Sequence, residues 1–229
     1  MRDVAQPCAE VWRHGGPGAA LRSCDERCNF FDASDTGLDD EPQVCARRVW
    51  LYRLGRTGIP LRERKLLTAD FMRETPLLTT PPLDAILNWA LDERKRAMVV
   101  MGGTRGVGKT VAACWAISRF NEGMPQGRYI EARDVVGIDF PMRRMQRAPL
   151  LVIDQLGHEY VGKNQDWAES QFTSLLDVRY AEMRPTILCG NLDRATFAAR
   201  YGAIIEDRLV GDGVFHLFKA RSMRREGAR

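Results

Sequence analysis

The sequence predicts an α/β protein with a central parallel sheet flanked by helices. Short apolar runs recur along the chain between segments with helical periodicity, which is the pattern of buried parallel strands joined by helices. A glycine-rich segment directly follows the first of these runs and directly precedes a helical segment. In such a sheet the carboxyl ends of the strands share one edge, where ligands bind.

The elements follow in a regular order from residue 97 onward. Apolar runs predict strands at 97–101, 129–132, 150–153, 186–189 and 214–218. Helical periodicity predicts helices at 111–118, 134–146 and 166–182, and the segment 201–209 predicts a short helix. Glycine and proline end these helices, as in Ala148-Pro149 and Arg184-Pro185, because proline disfavours helical geometry in the residue before it.

Length and charge predict one main domain with a small appendage. Its 229 residues are enough for one good core. Residues 1–48 contain six Arg against nine Asp and Glu, a net charge of −3, so the rest of this +4 chain carries +7. We expect an N-terminal partner-docking module at 1–48, a basic lead-in at 49–82 and a core with a basic tail at 83–229. Basic patches could meet nucleic-acid phosphates or form a solvated surface.

The composition argues against a membrane protein. No apolar stretch approaches the roughly 20 residues that span a bilayer, and residues 1–7 lack the apolar core of a signal peptide. We therefore expect a cytoplasmic protein without a membrane partner. Its six cysteines are then expected to be reduced thiols or metal ligands.

The glycine-rich segment is a complete phosphate-binding loop. Its backbone N–H groups and the N-terminus of the next helix attract phosphate oxygens. The lysine reaches the outer phosphates and the threonine hydroxyl holds Mg²⁺, which predicts ATP as the ligand. The residues are Gly103, Thr104, Arg105, Gly106, Val107, Gly108, Lys109 and Thr110.

Polar residues at the next strand ends complete the predicted site. Asp154 ends the 150–153 strand, where its carboxylate would face the Mg²⁺. A hydrolytic site of this class has an acid at the next position, but this chain has Gln155, which can orient water but cannot take its proton. Glu159 is the candidate replacement base, or a solvated loop acid. ATP hydrolysis is therefore uncertain and expected to be slow.

Two further residues are candidates for contacts to the γ-phosphate. Asn191 follows the 186–189 strand and could reach the phosphate or the water, or could simply form a turn. Arg208 could complete the site of an adjoining subunit by neutralising phosphate charge. The alternative for Arg208 is an ion pair with an Asp or Glu of its own chain.

The N-terminal module contains four cysteines: Cys8, Cys24, Cys28 and Cys45. They could bind one Zn²⁺, which would stabilise a segment with too little apolar material for its own core. Only Cys24 and Cys28 have spacing suited to a half-site, and His14 could substitute for a cysteine.

These motifs together resemble the AAA+ ATPases of the DnaC/DnaI helicase-loader and IstB transposition-helper group. The resemblance covers about residues 50–225 and includes the lead-in from Arg53 to Arg64, followed by Phe71, which generic phosphate-loop proteins lack. It also includes Leu151 to Gly157, Arg184 to Leu192, Ile205 to Leu209 and Ser222-Met223-Arg224.

The resemblance implies a role for each motif residue. Lys109 and Thr110 would form the first ATP motif and Asp154 the second, with Asn191 the first sensor, Arg208 the trans-acting finger and Arg224 the second sensor. Few residues follow the last strand, so the helical lid is expected to be truncated or absent.

The resemblance also implies partners: a replicative helicase bound through the N-terminal part, single-stranded DNA, and other copies of the chain through Arg208. An ATP-switched helicase loader is the favoured hypothesis. The alternatives are an IstB-like transposition helper and an ATP-binding adaptor that has lost hydrolysis at Gln155.

Overall fold

A computed structural model describes residues 46–71, 79–91, 97–121, 123–135, 137, 139–158 and 165–223. Within these ranges three helices precede the sheet, and strands then alternate with helices as the sequence predicts. The helices are α1 (Ala46–Gly55), α2 (Leu61–Phe71), α3 (Pro81–Leu91), α4 (Lys109–Arg119), α5 (Ala132–Val135), α6 (Met142–Gln146), α7 (Gln165–Ala181) and α8 (Arg194–Asp212). The strands are β1 (Met98–Gly103), β2 (Arg128–Glu131), β3 (Leu151–Leu156), β4 (Thr186–Gly190) and β5 (Gly213–Phe218).

The five strands form one sheet in the order β2-β3-β4-β1-β5. Every pairing is parallel, so the predicted fold class is confirmed. β1 lies between β4 and β5, and β3 lies between β2 and β4. The carboxyl ends of β1, β3 and β4, which lead into the predicted site residues, therefore lie side by side at one edge.

Two elements differ from the prediction. The prediction of one helix over 134–146 is wrong, because the structure has two short helices there, α5 and α6. Gly137 and Pro141 separate them: the glycine lies outside both helices, and the proline, which lacks a backbone N–H, occupies the N-cap of α6. The helix expected over 201–209 is the second half of the 19-residue α8, which bends at Gly202.

A hydrophobic core lies on each face of the sheet. Alternate side chains of β1 point to opposite faces, so Val99 and Met101 pack with α1 to α4, whereas Met98 and Val100 pack with α5 to α8. All four are at most 2% exposed. The continuous apolar strands are therefore explained by burial on both faces.

The lead-in helices belong to the first of these cores. Trp50 of α1 is fully buried, and its indole N–H donates to the carbonyl of Ser118 in α4 at 3.2 Å. Further along, the N–H of Tyr129 donates to the carbonyl of Thr57 at 2.8 Å, which fixes the lead-in against the outer edge of β2. The basic lead-in segment is therefore packed against the sheet through α1 and Thr57.

A buried arginine ties the second face together. Arg179 of α7 has no exposed surface, and burial lowers its pKa to about 9. Its guanidinium donates to the carbonyls of Met145 (2.8 Å), in the last turn of α6, of Ala148 (2.7 Å), after that helix, and of Pro185 (2.6 Å), before β4. It also donates to Thr186 Oγ1 at 2.9 Å. One side chain thus supplies the Ala148 carbonyl with its donor and adds a second donor to the carbonyls of Met145 and Pro185, which also accept the N–H groups of Ala148 and Leu151.

Among the residues that the structure describes, no helix is both long and apolar enough to cross a membrane.

Candidate nucleotide-binding site

The phosphate-binding loop joins the end of β1 to the start of α4. Gly106 (φ 81°) and Gly108 (φ 97°) have left-handed backbone conformations, which residues with a Cβ rarely adopt. A Cβ on Gly106 would also lie 2.1 Å from Ser222 Oγ, so the Ser222 side chain would have to move. Gly108 is the N-cap of α4, so Lys109 and Thr110 occupy the first turn of the helix that follows the loop.

Lys109 is folded against the loop. It is 7% exposed, and its ammonium donates to the carbonyls of Gly103 at 3.0 Å and Thr104 at 2.7 Å. Burial lowers the pKa of Lys109, an effect that the nearby Cys189 and Asp154 oppose. The ammonium therefore lies inside the loop, where it can exchange a carbonyl for a phosphate oxygen.

Asp154 joins β3 to the first turn of α4. Its carboxylate is 5% exposed and accepts hydrogen bonds from Thr110 Oγ1 at 2.8 Å and from the Tyr129 hydroxyl at 2.9 Å, both on Oδ2. Burial, followed by the charge and hydrogen bond of Asp154, raises the pKa of Tyr129, so the phenol stays protonated and acts as the donor.

Two buried thiols flank this carboxylate. Cys114 and Cys189 are free, and burial, followed by the charge of Asp154, raises the pKa of each. Both thiols are therefore protonated and neutral near pH 7.

The Thr110–Asp154 pair suits a magnesium ion. Mg²⁺ prefers hard oxygen ligands and is bound by one or two carboxylates together with phosphates and water. A hydroxyl oxygen and a carboxylate oxygen 2.8 Å apart at the start of α4 provide this donor chemistry. A bound Mg²⁺ would supply charge neutralisation to phosphate oxygens held by the loop.

Asn191 also lies against the loop. Its Oδ1 is 3.4 Å from Lys109 Nζ. With the amide turned by 180°, the nitrogen donates to the Gly103 carbonyl at 3.3 Å and the oxygen accepts from Arg105 Nε at 3.2 Å. In either orientation the side chain lies beside the loop lysine, so the structure brings Lys109, Thr110, Asp154 and Asn191 together.

Gln155 has an unusual backbone conformation. Its φ of 60° lies in the left-handed region, and the β3–β4 register shifts between Ile153 and Leu156. Its side chain is exposed, while its N–H donates to Asp154 Oδ1 at 2.8 Å. The bulge thus turns the Gln155 side chain outward and leaves the Asp154 carboxylate at the loop.

Arg208 is paired within the chain, which is the alternative considered for it. Its guanidinium forms an ion pair with Asp177 of α7 and lies over the Tyr180 ring, 5.2 Å from the centroid. A role in a neighbouring subunit would require release of this pair, and that role stays a prediction.

The remaining predicted site residues fall outside the described part. Glu159, Arg224, Cys8, Cys24, Cys28 and Cys45 lie there, and so does His14. Within the described ranges no group of three or more His, Cys, Asp or Glu could hold a metal ion, so nothing there supports zinc.

Sequence reasoning missed Tyr129 and the path of the C-terminal segment. Tyr129 lies opposite Val152 in the sheet, two residues before Asp154, so only the order of the strands reveals the contact. The N–H of Met223 donates to the Gly106 carbonyl at 3.0 Å, which places the end of the described chain on the phosphate loop. The only signal in the sequence for this path is the motif Ser222-Met223-Arg224, which belongs to the resemblance to the loader group.

Together, the parallel sheet, the loop after its interior strand β1 and the Thr110–Asp154 pair define a P-loop NTPase fold. Solved structures share this fold. A structure of DnaI is 17% identical, with a TM-score of 0.52 over 68% of this chain and 94% of that one. The replication initiator DnaA bound to AMPPCP and single-stranded DNA is 14% identical, with a TM-score of 0.50 over 65% of this chain and 50% of that one.

A structure of the DnaC helicase loader is 19% identical, with a TM-score of 0.48 over 75% of this chain and 99% of that one. No protein-family model matches the sequence, and no curated protein does. The chain has the AAA+ fold of the DnaI kind, as the resemblance predicts.

Proposed function

We propose that the chain is an ATP-binding AAA+ replication factor that loads or remodels a replicative helicase on single-stranded DNA, with ATP acting as the switch. The observation that carries the proposal is the convergence of Lys109, Thr110 and Asp154 at the start of α4. The lysine suits phosphate, and the hydroxyl–carboxylate pair suits the Mg²⁺ that accompanies it.

The choice of ATP rests on two further points. The DnaA structure with the same fold contains AMPPCP, a nucleotide with three phosphates. Asn191 lies beside Lys109, so its amide would meet the outermost phosphate of a nucleotide bound to the loop. A group that contacts only the third phosphate gives ATP and ADP different effects on the protein, which is the requirement for a switch.

The choice of partners rests on the fold and the lead-in. The fold is that of DnaI, and the DnaA structure also contains single-stranded DNA. The lead-in from Arg53 to Arg64, which resembles that of the loader group, packs against β2 through Thr57. We infer a helicase partner held through the N-terminal module, self-association through Arg208, and a cytoplasmic location.

A nucleotide-dependent capture experiment tests the proposal. The tagged full chain is incubated with native lysate and Mg²⁺, with ATP, ADP or no nucleotide, and the proteins retained in stoichiometric amount are identified by mass spectrometry. We expect a replicative helicase, retained to different extents with ATP and ADP. Retention of a transposase instead would support the transposition-helper alternative.

Lys109→Ala is the control for the nucleotide. Removing a charge-assisted contact to phosphate costs about 1.5 to 3 kcal/mol, so ATP affinity should fall by roughly 10- to 100-fold. The captured amount of helicase should then stop responding to ATP. Unchanged ATP binding by Lys109→Ala would contradict the assignment of the loop.

Gln155 favours a second candidate, the adaptor that binds ATP without turning it over. The residue is neutral and its side chain is exposed beside the carboxylate. In that case ATP would stabilise one assembly through binding alone, by mass action.

A further inference from the structure

A second cationic site lies at the other end of the sheet from the phosphate loop. A cavity of about 830 Å³ opens where β2 begins, between the end of α1 and the end of α6. Five arginines and a tyrosine are the prominent side chains of its lining: Arg53, Arg56, Arg128, Arg144, Arg147 and Tyr52. None of the described lining residues is acidic.

The cavity is separate from the nucleotide site. Arg128 is the first residue of β2 and pairs with Leu151, whereas Glu131, the last residue, pairs with Asp154. Arg128 and Glu131 are three residues apart on the strand, so the cavity and the nucleotide site are separated by about 10 Å along β2. A ligand at the amino end of β2 therefore contacts different side chains from a nucleotide on the loop.

The fold gathers these arginines from segments that are distant in sequence. The lead-in supplies Arg53 and Arg56 because Thr57 is bonded to the edge of β2. Arg144 and Arg147 come from α6 and the residue after it. Proximity of Arg144 and Arg56 contributes, after burial, to the lowered pKa of Arg128. Like charges held this close are stabilised by an anion.

Several of these groups have no partner in the part of the chain that the structure describes. Arg53, Arg144 and Arg147 make no side-chain hydrogen bond or ion pair with the described residues. Arg128 Nε is buried and has no hydrogen-bond partner there, although its NH1 donates to the Gly127 carbonyl. Guanidinium groups pair with phosphates through two parallel hydrogen bonds, and these groups have donors left for that purpose.

We propose that this cavity binds the sugar-phosphate backbone of single-stranded nucleic acid. The half-exposed ring of Tyr52 lies at the cavity, 5.4 Å from the Arg56 guanidinium. Because aromatic rings beside a cationic groove accept bases by stacking, Tyr52 favours a nucleic-acid strand over a small anion as the ligand. Stacking on Tyr52 requires an unpaired base, which a single strand offers and an intact duplex does not.

The inference deepens the proposed function, on which it rests for the class of ligand, by naming where the strand binds. Binding of a fluorescent oligo(dT) to the full chain is measured by anisotropy across a salt series. The test variant is Arg53→Gln/Arg144→Gln, and the matched control is Arg62→Gln/Arg143→Gln. All four residues are exposed, and the control removes equal charge from neighbouring positions outside the cavity.

We expect the test variant to bind about tenfold more weakly at low salt, with the slope of log K against log salt reduced by about 1.4, since each lost phosphate contact on a single strand removes about 0.7. The control variant should keep the native slope, and melting curves should match for all three proteins. Equal losses in both variants, or no binding by the native chain, would overturn the proposal. So would tighter binding of a duplex of the same sequence with the same dependence on Arg53 and Arg144.

Titration of ATP into the same variants separates this inference from the proposed function. If ATP binding and helicase capture are normal but the test and control variants lose oligo(dT) affinity equally, only the proposed binding of nucleic acid in the cavity is rejected. Cavity-dependent oligo(dT) binding without ATP binding would reject the proposed function alone.

Discussion

The Thr110 hydroxyl donates a 2.8 Å hydrogen bond to the Asp154 carboxylate across a sequence separation of 44 residues. The bond joins the first turn of α4 to the end of β3, and both residues are carried there by regular elements rather than by flexible loops. The same carboxylate oxygen accepts the Tyr129 hydroxyl from β2. Three elements therefore fix one acidic group beside the phosphate loop.

The Tyr129–Asp154 bond should matter for stability. We expect Tyr129→Phe to lower the free energy of unfolding by about 1.5 to 3 kcal/mol, because a buried carboxylate loses a donor. Tyr180→Phe is the matched control, since its hydroxyl donates to Asp212 at the surface. Urea denaturation should show a larger loss for Tyr129→Phe. Equal losses of unfolding free energy in the two variants would mean that burial of Asp154 does not strengthen its hydrogen bond with Tyr129.

Gln155 should limit ATP turnover. A missing general base costs about 10² to 10⁴ in rate, so Gln155→Glu should raise phosphate release from Mg²⁺-ATP by at least about tenfold, with part of the gain lost because the side chain faces outward. Gln155→Asn keeps the amide and tolerates the left-handed backbone, so its turnover should stay at the native level. If the native chain hydrolyses ATP as fast as Gln155→Glu, another group is the base and the adaptor hypothesis is wrong.

The Arg208–Asp177 pair allows the trans role to be tested. If Arg208 acts on a neighbouring subunit, Arg208→Ala should keep its ATP affinity but lose turnover that rises with protein concentration, because an arginine finger is worth about 10³ to 10⁵ in rate. Asp177→Asn frees the arginine, so turnover should be maintained or increased. If both variants lower stability equally and neither alters turnover, the pair is only structural.

Sequence reasoning located the site because each part of it adjoins a strong local signal. The loop lies between an apolar run and a helix, and Asp154 and Asn191 follow apolar runs that can only be buried strands. Contacts set by strand order were not predictable in the same way. Tyr129 meets Asp154 because β2 happens to neighbour β3, and the arginine cavity forms because the lead-in lies along that same edge.

The single helix predicted over 134–146 failed for a related reason. Local periodicity outweighed Gly137 and Pro141, and nothing local revealed that a side chain from α7 would satisfy the carbonyls at the end of α6. Arginine is almost never fully buried unless it is paired, yet the structure buries Arg179 completely. Two of its partners, the carbonyls of Met145 and Ala148, lie more than 30 positions away in the sequence, so these contacts cannot be recognised before the chain is folded.

Arg179 should therefore be among the most sensitive positions in the chain. Arg179→Met leaves the Ala148 carbonyl without a donor, which costs about 1 to 3 kcal/mol for a buried group. It also removes a charge-assisted hydrogen bond from each of the Met145 and Pro185 carbonyls, and each such bond is worth about 1.5 to 3 kcal/mol. We expect urea denaturation to show a loss of at least about 3 kcal/mol. Arg179→Lys has fewer donors and should lose less, while the exposed control Arg143→Met should change stability by no more than about 0.5 kcal/mol. A loss for Arg179→Met as small as that of the control would show that α6 and β4 are held in place without this arginine.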